Sequence, residues 1–152
     1  MNKKTVTWIA VLGVLAIVVI WGVGRYNAII TGEENVNTAW SQVENQYQRR
    51  ADLIPNLVET VKGYAAHESE TLEGVIAARA KATQVVVDPT NASAEQIAAF
   101  QAAQGELSQA LGRLMAISEN YPDLKANQNF GALQSQLEGT ENRITVARNN
   151  FN

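Results

Sequence analysis

VNTAWSQVENQYQRRADLIPNLVETVKGYA, residues 36–65, sets the architecture of this chain. Its apolar and small residues step by four and three: Val36, Trp40, Val43, Tyr47, Ala51, Ile54, Val58, Val61 and Ala65. That near-heptad stripe predicts a helix that turns one face to partner helices. Glu44, Gln46, Gln48, Glu59 and Lys62 lie mostly off the stripe. The pattern resumes at Leu72, Val75 and Arg79, with Glu68 where an apolar residue is expected. Its phase holds through Pro55, which favours one kinked helix from about Tyr26 to about Gln84. The other reading makes Asp52 an N-cap, with Pro55 in the tolerated first turn of a new helix.

Toward the C-terminus the punctuation is clearer. Asp88-Pro89-Thr90-Asn91-Ala92 reads as a loop. Ser93 followed by Gln96 is a capping-box pattern, and Glu95 adds negative charge to the first turn. Ile97, Phe100, Gln104, Leu107, Leu111 and Leu114 form the second stripe, closed by Asn120-Tyr121-Pro122-Asp123. A third helix starts near Asn127 or Asn129 and carries Phe130, Leu133, Leu137, Glu141, Ile144, Arg148 and Phe151. The short connection makes the last two helices an antiparallel pair. Gly105, Gly112, Gly131 and Gly139 fall inside these patterns, where each costs ~1 kcal/mol against alanine, and close helix packing is the expected reason.

Toward the N-terminus, residues 6–23 read VTWIAVLGVLAIVVIWGV without a charge. As a helix they span ~27 Å, close to a bilayer's ~30 Å hydrocarbon core. A cleaved signal peptide is the competing reading, but its apolar region is typically ~7–15 residues. The flanks suit an uncleaved anchor: Lys3 and Lys4 before it, Arg25 after it, and Trp8 and Trp21 near the two interfaces. The expected division is a basic N-terminus at 1–5, a transmembrane anchor at 6–24 and a helical domain at 25–152. Two lysines against one arginine favour a cytoplasmic N-terminus and an extracytoplasmic domain. The anchor has no GxxxG pair, so self-association falls mainly to the helices outside the membrane.

The 127 residues after Arg25 hold 9 basic and 15 acidic side chains, a formal charge of −6. That balance argues against nucleic acid or anionic headgroups as partners. With no cysteine, disulfides, thiolate catalysis and cysteine metal sites are excluded. His67 is the one histidine and has no E-x-x-H or H-E-x-x-H companion. No catalytic set, cofactor site or metal site is expected. The densest charged cluster, Arg49, Arg50 and Asp52, with Asn56, Glu59 and Lys62 beyond it, reads either as a salt-bridged solvated face or as a partner-contact site.

The string Arg49-Arg50-Ala51-Asp52-Leu53-Ile54-Pro55-Asn56-Leu57-Val58, followed by Val61-Lys62-Gly63-Tyr64 and His67-Glu68, resembles the LemA family. Ala39-Trp40-Ser41-Gln42-Val43, Ala78-Arg79, Tyr121-Pro122-Asp123-Leu124, Asn129-Phe130 and Ala147-Arg148-Asn149 extend the likeness over essentially the whole chain. The resemblance implies an all-α bacterial single-pass membrane protein: an N-terminal transmembrane helix, then an antiparallel helical bundle with a long kinked first helix. It implies no known enzyme activity. It adds weight to Arg49, Arg50, Asp52, Pro55, Asn56 and Gly63, which match the family string. A magnetosome membrane protein belongs to the same family. Members usually continue past ARNNFN into an apolar tail with Phe and Pro, and this sequence stops at Asn152.

Two functions fit this reading. One is a scaffold in the bacterial inner membrane, held to lipid by the first helix, that self-associates or organises the envelope. The other is an accessory subunit that docks an envelope protein, such as a signalling protein or membrane enzyme, on residues 49–62.

Overall fold

The computed structural model describes residues 2–151, all side chains included except those of Lys3, Thr5 and Ala10. Lys3, expected as an interface anchor, therefore has its side chain outside the described residues. Five helices follow one another: α1 (Lys3–Lys62), α2 (Ser69–Gln84), α3 (Ala94–Ser118), α4 (Pro122–Lys125) and α5 (Gln128–Phe151). No strand occurs among the described residues. The chain divides into two compact units, Met1–Thr38 and Ala39–Asn152.

The first unit holds the N-terminal part of α1. Trp8, Leu12, Ile17, Ile20 and Trp21 are each more than 60% exposed, so this stretch of helix is apolar and uncovered among the described residues. It meets the length and hydropathy required to cross a membrane.

The second unit is a four-helix bundle running up-down-up-down. Its contacts fix the directions. At one end Trp40 of α1 packs on Phe100 of α3 and Phe151 of α5, with ring centroids 5.4 and 5.2 Å away. At the other end Tyr64 accepts from the Asn127 amide, and Tyr121 donates to Glu68. Thus α3 runs parallel to α1 and α5 antiparallel. Between α2 and α3, Lys81 pairs with Glu106, and Gln104 donates to the Ala82 carbonyl, so α2 opposes both α1 and α3.

The stripe at residues 40–65 packs as its spacing predicts. Ile54, Leu57, Val58, Val61 and Ala65 join Leu72, Val75, Leu107, Leu114, Leu124 and Phe130 in the main core. Trp40, Val43, Tyr47, Val87, Phe100, Ile144 and Ala147 form a second, aromatic core. Burying each large aliphatic side chain contributes roughly 1.5–3 kcal/mol.

One expectation fails. The first helix does not reach Gln84: α1 ends at Lys62, and α2 starts at Ser69. Gly63 and Tyr64 break it, and the Ala65 N–H turns back to the Val61 carbonyl at 2.8 Å. Glu68, the polar residue in the stripe, lies in this turn and accepts the Tyr121 hydroxyl at 3.1 Å. The same contact raises the Tyr121 pKa above its ordinary value. The apolar phase continues because both helices face one core, which periodicity alone cannot distinguish from one helix. Within α1 the helix does run through Pro55.

The predicted caps are present. The Ser93 hydroxyl accepts the Gln96 N–H, and the Gln96 side chain accepts the Ser93 N–H. Asn127 caps α5 by accepting the Phe130 N–H at 3.0 Å. In the preceding loop Asp88 accepts from the Thr90 hydroxyl and the Asn91 amide, which hold its carboxyl below the usual range.

The glycines depart from expectation. A Cβ built at Gly105, Gly112, Gly131 or Gly139 meets nothing within 4 Å, so close packing is not the reason for them. Gly105→Ala and Gly112→Ala should each stabilise the bundle by about 0.5–1 kcal/mol, through the unfolded chain's lost freedom. A lower denaturation midpoint for either variant would refute this.

Candidate functional site

The charged cluster of residues 49–62 divides between surface and core. Arg49, Asp52, Asn56, Glu59 and Lys62 are exposed. Asp52 accepts the Gln48 amide at 2.8 Å, one turn back. Arg50 turns the other way and is 1% exposed, so it drops out of the expected contact surface. The cause is helical geometry: residue 50 lies one step from Ala51 and three from Tyr47, on the buried side.

A buried guanidinium needs partners. Arg50 Nη1 donates to the Ser108 hydroxyl at 2.8 Å and to Glu141 Oε1 at 2.7 Å. Nη2 donates to the backbone carbonyl and the side-chain oxygen of Gln104. The guanidinium also sits 5.1 Å from the centre of the Tyr47 ring. Gln104 then passes its own amide to Ala82 at 3.3 Å. One side chain of α1 thereby ties α3 and α5, and through Gln104 it ties α2. Of the guanidinium nitrogens, Nε alone has no partner among the described residues.

A second fastening explains Pro55. Proline has no N–H, so the carbonyl of Ala51, four residues earlier, loses its helical donor. Arg79 of α2 supplies one: its Nε donates to Ala51 O at 2.7 Å. The proline opens an acceptor in α1, and α2 docks on it. Arg79→Met should cost about 1–3 kcal/mol, because it leaves that carbonyl unpaired. In a Pro55→Ala background the cost should shrink, since the restored N–H closes the bond. Equal costs in both backgrounds, by chemical denaturation, would rule out this coupling.

The network's members stand in the sequence as polar residues inside apolar stripes: Gln104, Glu141 and Arg79. That is the signal by which they could be found. Sequence reasoning placed them on the right faces without joining Gln104 and Glu141 to Arg50, or Arg79 to Ala51. His67 is exposed, in the turn between α1 and α2. Among the described residues no three His, Asp or Glu side chains gather as a metal site. Trp8 and Trp21 are exposed on the apolar helix, as are Lys4 and Arg25 at its ends.

Residues 39–152 match the model of the LemA family. The chain belongs to the LemA family. Its relatives include magnetosome protein MamQ of Magnetospirillum gryphiswaldense, 30% identical over 84% of this chain and 53% of MamQ. MamQ 2 of Paramagnetospirillum magneticum is 28% identical over the same shares. Protein LemA of Metamycoplasma hominis is 25% identical over 86% of this chain and 56% of its own length. The chain thus spans about half the length of the relatives it matches. The family domain coincides with the bundle, both beginning at Ala39. With the apolar helix, family membership makes this a membrane-associated helical protein.

Proposed function

We infer that this LemA-family chain is a non-enzymatic, membrane-anchored scaffold of the bacterial envelope that assembles with copies of itself. The observation that carries this reading is the double role of α1. One helix supplies both the uncovered apolar segment and the first wall of the bundle. The buried polar groups around Arg50 and Arg79 fasten the bundle's own helices, which suits a rigid module held at a membrane. In this reading the anchor lies in the inner membrane, and the lysine bias at Lys3 and Lys4 supports an N-terminus inside.

The accessory reading is supported by a different feature, the exposed ridge of Arg49, Asp52, Asn56, Glu59 and Lys62 along one side of α1. These residues recur at three- and four-residue steps, so a partner helix could meet them together.

Mass-resolved chromatography of the full chain in mild detergent, with electron microscopy of the main peak, separates the two. A discrete assembly of many copies is expected. A clean monomer would sink the scaffold reading. Capture of an envelope protein that is lost on Arg49→Glu with Lys62→Glu would then favour the accessory one.

A further inference from the structure

The aromatic end of the bundle holds a partly open cavity of about 200 Å³. Trp40, Tyr47, Phe100 and Phe151 line it together with aliphatic side chains. A dry apolar cavity of ~150 Å³ accommodates benzene, so this one has room for a single ring or a short alkyl group. Two side chains make its polar rim, Gln101 and Arg148. Among the described residues no carboxylate lines it. Arg148 is exposed and, like Arg49, Lys62, Arg113 and Arg143, makes no ion pair among the described residues, so its charge is free to meet a ligand at the rim.

The wall itself carries an unmet donor. Trp40 is 8% exposed, and its Nε1 has no acceptor among the described residues. A buried indole N–H usually finds a partner. The cavity thus combines apolar surface, an arginine at its rim and a buried N–H without an acceptor among the described residues. What completes it is an apolar body that brings an anionic acceptor.

We propose that this cavity is a binding site for a small carboxylic acid with one aromatic ring or a short alkyl chain. The ring packs on Phe100 and the indole face. The carboxylate pairs with Arg148 and Gln101 at the rim. The second carboxylate oxygen is the acceptor that the Trp40 N–H lacks. This site is independent of whether the chain assembles with itself.

The test uses the full chain in lipid nanodiscs, with Trp8→Phe and Trp21→Phe so that Trp40 is the sole tryptophan. Phenylacetate is titrated while the indole ¹H–¹⁵N resonance and the fluorescence of Trp40 are followed. Saturable shifts in both are expected. Acetate, which lacks the ring, should produce neither, and phenylacetamide, which lacks the charge, should bind about three- to fivefold more weakly. Arg148→Gln should erase that preference. Ala92→Leu, which narrows the cavity from the loop side, should abolish binding with helicity unchanged. Several outcomes would overturn the assignment: no saturable shift, an equal response to acetate or phenylacetamide, or binding that survives Ala92→Leu.

Discussion

Arg50→Ala should lower the stability of the bundle by about 3–5 kcal/mol, more than any other polar substitution in this chain. The side chain is 1% exposed and serves four acceptors on two helices. Truncation leaves a void between α1, α3 and α5 and strips Gln104, itself 8% exposed, of its donor. Glu141 suffers less, because its side chain is 45% exposed and can turn to water. Two companions separate charge from volume. Glu141→Gln keeps an acceptor and replaces a half-exposed ion pair, so it should cost no more than about 1 kcal/mol. Arg50→Met refills much of the space without a charge and should cost clearly less than alanine. Denaturant midpoints of the three variants read this directly. An Arg50→Ala chain within 1 kcal/mol of the parent would mean that the network contributes nothing to stability.

Phe130→Ala should be comparably severe, about 3–5 kcal/mol. Phe130 is 2% exposed and closes the main core among residues from α1, α2, α3 and α4. Its backbone N–H is held by Asn127, and truncating the side chain leaves that cap in place, so the loss is one of packing. Phe130→Leu should cost markedly less, because most of the volume stays. Asn127→Ala removes the cap alone and should cost about 0.5–2 kcal/mol. If the cap variant proved worse than Phe130→Ala, α5 would owe its stability to its terminus more than to the core.

Much of the fold was legible before any coordinates. The stripe from Trp40 to Ala65, the capping box at Ser93 and the loop at Asp88 each became what their pattern predicts. A packed helix must repeat apolar residues near its own period, and a capped terminus must offer an oxygen to free N–H groups. The site was only half legible. Arg49 and Arg50 look alike as neighbours in a charged string, yet one faces solvent and the other the core. Gln104, Glu141 and Arg79 were visible as polar interruptions in apolar stripes. Their partners lie 54, 91 and 28 residues away along the chain, and no local pattern encodes such distances.

The glycines make the same point from the other side. Their positions in helices suggested close packing, and the packing is open at each. Local sequence reports the price of a glycine in a helix and says nothing of what stands opposite.

By itself, then, the sequence determined the helices, their inward faces, the caps and the uncovered apolar segment, because each depends on spacing within one element. Only the tertiary structure decided that residues 63–68 turn the chain, that Arg50 is the bundle's internal fastener, and that Pro55 frees a carbonyl for Arg79. Those outcomes depend on which groups meet across helices. A buried charge, or a carbonyl without its donor, is tolerated only where another helix brings the matching group within hydrogen-bond reach.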